Sequence, residues 1–327
     1  MSGRGNTAPG GGASAVRPEA VTPTLLRGWP LPGGGSGKND RGSVLVIGGA
    51  RMTPGAALLA GVAALRSGAG RLTLAVAESV AVQLAVALPE AGVKALPENA
   101  SGSVLGAKAV PVLAPLVDSA DAILIGPGLD NKDEATALLR GLLAVPAGDK
   151  RPAIILDAFA LGSLPELVDD LDPWAGRLIL TPNVTEAGIL LGRDVGDLAG
   201  DVPELAAKYG AVVSCQGVIA QPGGPGSPGR QRGPGAEADG HDGGTGRGVW
   251  EITTGHSGLG TSGSGDVLSG AIAGLRARGT TDAQATCWGT HLHASAGDRL
   301  ASRLGGLGYL ARELTGELPA LMMELGT

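Results

Sequence analysis

The chain has 327 residues, 43% of them hydrophobic but only 2% aromatic, and a formal net charge of -6. A core of this size must be aliphatic and alanine-rich, and the length suits one large α/β domain or two small ones. The absence of a basic cluster and of base-stacking rings argues against nucleic-acid binding, and no apolar run of membrane-spanning length occurs.

Residues 1–38 are rich in Gly, Pro and Ser and lack periodicity. Such a composition buries too little apolar surface to offset its ordering entropy, so it predicts a disordered tail with a brief docked piece near "TLLRGW". A single domain is expected over 39–327. It opens with "SVLVIGG" (43–49), an apolar run of buried-strand type that ends in a Gly turn. The helix "PGAALLAGVAALRSG" follows, with Pro54 suited to its first turn and Gly68 to its stop. "RLTLAV" is the next strand. The alternation continues through "AILIG" (122–126), a helix over about 132–143, "AIILD" (153–157), a short helix, and "RLILT" (177–181). Helices near 185–191 and 203–208 and the strand "AVVSCQG" (211–217) complete it. Apolar strands alternating with helices predict a mostly parallel sheet with helices on both faces.

Residues 221–248 break the pattern and predict a mobile loop insertion, at the tip of a hairpin between "GVIAQ" and "GVWEITT". After residue 266 the chain reads as mostly helical. Cys215 and Cys287 match no metal or redox spacing and are expected to be reduced thiols. With no segment resembling a signal peptide, the expected location is cytoplasmic.

The chemistry concentrates in "TTGHSGLGTSGSGDVLSGAIAGL" (253–275). Here Gly263 and Gly265 permit backbone torsions that bare N–H groups toward a ligand, and the following helix offers its positive end. Together they suit a phosphate chain. Asp266 can be the N-cap of that helix, a common role, but a simple cap does not need so many glycines upstream. Gly258, Gly260 and Gly263 also spell G-x-G-x-x-G, the dinucleotide fingerprint. That version fails on placement, because it lies late in the chain and Asp282 falls in a turn between helices. "VIGGARMTPGAALLA" and "LIGPGL" are two further glycine turns at strand ends, where ligands bind in parallel sheets. His291 and His293 lie on different sides of a helix and do not suggest a shared metal. No metal-binding residues are expected. His256 can face a nucleotide or solvent, and Trp250 and Trp288 read as packing residues.

"KNDRGSVLVIGGARMTPGAALLAGVAALRSGAGRLTLAV", "DAILIGPGL", "LDAFAL", "LTPNVTEAGILLG" and "GTSGSGDVLSGAIAGL" occur in the order seen in the ADP/ATP-dependent NAD(P)H-hydrate dehydratases. The resemblance runs from about residue 38 to 322. It implies a ribokinase-like three-layer α/β sandwich that dehydrates (S)-NADHX or (S)-NADPHX to NADH or NADPH. ADP (or ATP) would be the co-substrate, giving AMP and phosphate from ADP, with an associated Mg²⁺. It also implies a homo-oligomer, taken as a tetramer; the epimerase domain that some members carry is not expected, because only the tail precedes residue 38. Carried over by position, Ala56, Gly126, Gly128, Asn183 and Asp266 would contact the hydrated nicotinamide nucleotide. Gln216, Gly217, Gly263, Ser264 and Gly265 would contact the ADP, and Asp266 would be catalytic. Asn183 and Gln216 stand where the family has His and Lys, and Phe159 where an Asp is usual. The alternatives are a small-molecule kinase of the same fold and a nucleotide-binding protein without turnover.

Overall fold

The computed structural model describes residues 17–146, 148–223 and 248–326. Ten strands form its centre: β1 (Glu19–Ala20), β2 (Ser43–Ile47), β3 (Arg71–Ala77), β4 (Gly92–Leu96), β5 (Ala122–Ile125), β6 (Ala153–Leu156), β7 (Leu178–Leu180), β8 (Val212–Cys215), β9 (Val218–Ala220) and β10 (Val249–Glu251). They make one sheet in the order β1-β10-β9-β8-β7-β6-β5-β2-β3-β4. Among these strands only β9 runs against the rest. Nearly every strand therefore delivers its C-terminus to the same edge.

Both faces are covered. Along β2, Val44 and Val46 enter one core while Leu45 and Ile47 enter the other, the period-two alternation of a strand buried on both sides. The first core lies under α1 (Pro23–Gly28), α2 (Pro54–Arg66), α3 (Glu78–Ala87), α8 (Ser264–Ala277), α9 (Asp282–Leu304) and α10 (Ala311–Glu324). The second lies under α4 (Gly106–Ser119), α5 (Lys132–Leu143), α6 (Val184–Leu191) and α7 (Leu198–Tyr209). The result is a three-layer α/β sandwich. Among the described residues no helix is long and apolar enough to cross a membrane.

The expected strand–helix alternation is present, with α2 starting at Pro54 and the chain turning at Gly68 with φ +101°. Three elements were not expected. The β-branched spacing of "ESVAVQLAVA" gives α3 little helical signature, and Pro111 and Pro115 sit inside α4. β4 is an edge strand with mostly exposed or half-exposed side chains, so its sequence has no apolar run. The short helix after "AIILD" is a 3₁₀ segment, Ala158–Glu166.

The pairing of α2 with α8 sets the geometry of the site. A Cβ on Gly270 would lie 2.1 Å from the Ala60 carbonyl oxygen, and one on Gly274 2.3 Å from that of Ala64. The two backbones thus touch at matched positions one turn apart, 60 with 270 and 64 with 274. The helices run in parallel, and one turn earlier Ala56 comes level with Asp266.

The disordered tail needs correcting. Residues 1–16 lie outside the described residues, but 17–38 are ordered. Thr22 caps α1 by accepting from the Leu25 N–H at 3.2 Å, and Val21, Leu26, Trp29 and Leu31 are buried. The Trp29 and Trp250 rings are 6.2 Å apart. The Trp29 carbonyl accepts from Trp288 Nε1 at 2.9 Å and Gln284 Nε2 at 3.0 Å. Average composition hides these few anchors, whose burial and charge-free hydrogen bonds offset the ordering cost. The mobile loop expected over 221–248 lies mainly outside the described residues, at 224–247, while its flanks pair antiparallel as β9 and β10.

Trp29→Ala should accordingly cost about 3–5 kcal/mol in urea unfolding, the range for a buried aromatic. A loss below about 0.5 kcal/mol, as for an exposed site, would mean that the segment does not contribute to the core.

Candidate active site

The crevice forms where the strands end. After β2 the chain turns through Gly48 and Gly49, and after β5 through Gly126, Pro127 and Gly128. These turns are tied together: Gly49 N–H donates to the Pro127 carbonyl at 2.8 Å, Ala50 N–H to that of Gly128 at 2.8 Å, and Thr53 Oγ1 to the same Gly128 oxygen at 2.8 Å. A Cβ on Gly126 would lie 1.8 Å from the Asp157 carbonyl oxygen, so only glycine lets the β5 turn pass the end of β6. One on Gly128 would lie 3.1 Å from Ala56 Cβ. Ala56, Gly126 and Gly128 therefore share one wall.

The opposite wall is the loop before α8. Asp298 anchors it, accepting from the Gly255 N–H at 3.0 Å and from Thr254 Oγ1. His256 Nδ1 accepts from the Gly258 N–H at 3.1 Å, which folds the imidazole into its own loop. The helix begins earlier than Asp266. Gly263, with φ +89°, is the N-cap, and Ser264, Gly265 and Asp266 form the first turn. Asp266 is thus not the cap expected of it. Its carboxyl sits in the first turn, where it makes no capping hydrogen bond.

Ser264 Oγ lies 2.8 Å from Nε2 of the buried His293, and burial pushes that imidazole down to about 4, so the ring is neutral at ordinary pH. At Gly265 a Cβ would meet no protein atom within 4 Å, and its φ is not positive. Neither packing nor torsion demands glycine there. What the missing side chain preserves is access to the helix N-terminus, a ready anion site.

Asp266 is half-buried, and its carboxyl is pushed up to about 7, first by burial and then by the charge of Asp157. Asp157, at the end of β6, is only 5% exposed. Its Oδ1 accepts from Thr181 Oγ1 at 3.0 Å and its Oδ2 from Ser269 Oγ at 2.9 Å. Burial raises its pKa against those hydrogen bonds. Sequence reading passed over Asp157. The available signal was an acid closing the apolar run "AIILD" at the ligand edge of the sheet.

Asn183 follows β7 on the same edge, two residues beyond Thr181. Its side chain caps α6, accepting from the Glu186 N–H at 2.9 Å, while Glu186 accepts from the Asn183 N–H at 2.9 Å. The oxygen of the exposed Asn183 amide is thereby engaged, and among the described residues its NH₂ has no hydrogen-bond partner. Gln216 and Gly217 form the two-residue turn between β8 and β9, with φ +48° and +85°. Gly217 accepts from the Ile252 N–H at 2.8 Å, beside the start of the glycine loop, and Gln216 is exposed. The structure thus brings Ala56, Gly126, Gly128 and Asp266 to one point. It sets Asn183 and the Gln216 turn further along the same edge. Both cysteines are buried and unpaired, with Cys215 pushed up to about 12 by burial, so neither is a ready nucleophile.

The profile of the NAD(P)H-hydrate dehydratase family matches residues 44–247 and 241–320. The ADP-dependent (S)-NAD(P)H-hydrate dehydratase of Xanthomonas campestris is 37% identical over 310 residues, spanning 94% of this chain and 98% of the relative. A ribokinase-like superfamily protein from Enterococcus faecalis superposes with a TM-score of 0.72 at 23% identity, over 94% of this chain and 96% of its own, which shows the shared fold. The ADP/ATP-dependent NAD(P)H-hydrate dehydratase of Bacillus subtilis, crystallised with ATP and Mg²⁺, gives a TM-score of 0.71 at 26% identity, over 95% and 100%. The chain, a ribokinase-like α/β sandwich with a carboxylate set beside a helix N-terminus, belongs to the NAD(P)H-hydrate dehydratase family.

Proposed function

We propose that this protein dehydrates (S)-NADHX and (S)-NADPHX to NADH and NADPH at the expense of ADP, releasing AMP and phosphate. The observation that carries the reading is the meeting of Asp266, raised to about 7, with the unobstructed helix terminus at Gly265. The hydrated nicotinamide lies between Ala56, the Gly126–Gly128 turn and Asp266, with its C6 hydroxyl at the carboxylate. Asp266 takes the hydroxyl proton as that oxygen attacks the terminal phosphorus of ADP, and AMP leaves. Backbone N–H groups at 263–266 stabilise charge on the transferring phosphoryl group. Phosphate then departs from C6 where hydroxide would not, and loss of a C5 proton restores the dihydronicotinamide. Asn183, through its NH₂, offers a neutral donor to the substrate, and Gln216 a neutral contact to the nucleotide.

Among the described residues no group of three or more His, Cys, Asp or Glu side chains could hold a metal ion. Mg²⁺ at a nucleotide site commonly takes only one or two protein carboxylates beside the phosphates and waters; here it would accompany the nucleotide's phosphates and offset their charge, and no step above is routed through it.

Asp266→Asn should lower turnover by about 10²–10⁴, the usual worth of a general base. Wild-type kcat/KM should fall as pH drops through about 7, because the base acts deprotonated. The same shift has a stability consequence. A folded-state pKa above the ordinary 3.8 means that the contribution of this group is present at low pH and lost as pH rises through about 7. Thermal unfolding should therefore show the Asn variant gaining on wild type toward alkaline pH. Turnover above about a tenth of wild type, on that same scale, refutes the assignment.

Gly265→Ala separates the phosphate site from the fold. Alanine should hold or raise the melting temperature, by up to about 1 kcal/mol of helix propensity, while ADP affinity in calorimetry falls at least tenfold. Unchanged affinity would place the phosphates elsewhere. Gln216→Lys should tighten ADP binding most at low ionic strength, since it adds a screened Coulomb attraction; a salt-independent response would remove this turn from the nucleotide site.

A further inference from the structure

The end of β6 holds a second carboxylate that the reaction above leaves unused. Asp157 is buried, yet it is bonded on both oxygens by hydroxyls from two different elements, Thr181 after β7 and Ser269 on α8. Ser269 lies one turn beyond Asp266, and its Oγ is also 3.3 Å from the Asp266 carbonyl oxygen. Residues three apart share a helix face, so Asp266 and the Asp157–Ser269 contact stand on the same side of α8, one turn apart. An apolar pair would hold a helix to a sheet without the cost of burying an acid.

Resting on the reading of Asp266 as base, we propose that Asp157 is a positioning residue for the dehydration: it moors the N-terminal end of α8 through Ser269 and forms with Asp266 a carboxyl pair that titrates as a unit. Burial in a common floor makes ionising both acids at once unfavourable, so the proton that Asp266 takes from the substrate is held more strongly than by an isolated carboxylate. The charge environment of the pair is sparse. From α6, the half-buried Glu186 is coupled to it through Asp157, and its own pKa is raised mainly by burial. From α9, the neutral His293 is taken up by Ser264. The neighbouring parts of α2 and α10 present Leu59 and Ala311 to Gly263, and the turns after β2 and β5 present glycine. The upward shift of Asp266 is attributed to burial first and to Asp157 second, as this arrangement requires.

The test is the pH dependence of kcat/KM for NADHX with saturating ADP and Mg²⁺. Asp157→Asn keeps the shape and can still bond both hydroxyls, one of them now accepting from the amide NH₂, but cannot ionise. Its acid limb should move to lower pH by roughly one unit, the scale of a close charge pair, with kcat reduced and ADP affinity retained. A purely structural role would lower kcat and leave the limb in place, which would overturn the proposal. Infrared titration of ¹³C-aspartate-labelled protein supplies the reciprocal measurement. In Asp266→Asn the buried carboxyl band of Asp157 should titrate at lower pH than in wild type, and this decides the matter should Asp157→Asn not fold. An unmoved band overturns the pairing. An Asp266→Asn enzyme with near-normal turnover would instead sink the base assignment beneath it, so the two failures are distinct.

Discussion

The backbone contact between α2 and α8 is the constraint from which the site follows. Helices normally pack 8–10 Å apart because side chains intervene, but Gly270 and Gly274 remove that spacer against the carbonyls of Ala60 and Ala64. The dispersion and exclusion of water gained at such close approach hold two helix N-termini side by side. One begins after the β2 turn and the other after the glycine loop, so their ends deliver Ala56 and Asp266 to the same level of the crevice. A side chain at either glycine would separate not just two helices but the two walls of the site.

Electrostatics at the site run opposite to what stability alone would select. Asp157 and Asp266 are both held where ionisation is costly, and Glu186 adds a third acid at the same edge. The fold absorbs that cost through the aliphatic cores on either side of the sheet and through hydroxyl donors at each oxygen of Asp157. Poorly solvated acids of this kind mark places where chemistry constrains the sequence.

Much of this architecture is written in local patterns. Runs such as "SVLVI", "AILI" and "AIIL" can only be strands buried on both faces, and their alternation with helices leads to a parallel sheet and thus to the strand ends as the crevice. The glycine loop, the Gly-Pro-Gly turn and Asp266 are legible for the same reason. What stays hidden depends on partners distant in sequence. Asp157 reads as a strand-terminating acid until Ser269, 112 positions away, is brought beside it. The start of α8 at Ser264 depends on the positive φ of Gly263, which no pattern of side chains announces. The engagement of Asn183 in a capping box is written in "NVTE", since Asn with Glu three residues on is the signature of one.

The docking of the N-terminal segment has a consequence for the order in which the molecule is made. The Trp29 carbonyl is bonded by Trp288, 259 residues downstream, and β1 pairs with β10, whose residues lie more than two hundred positions on. On the ribosome, the segment around Val21 and Trp29 must therefore emerge and wait, while most of the sheet and its helices are synthesised, before the groups of β10 and α9 that it bonds exist. Until β1 docks, the outer edge of β10 presents unpaired backbone N–H and C=O groups, the kind of edge that recruits foreign strands. A segment made before the sheet is thus built in after it, and it supplies the edge strand on that side.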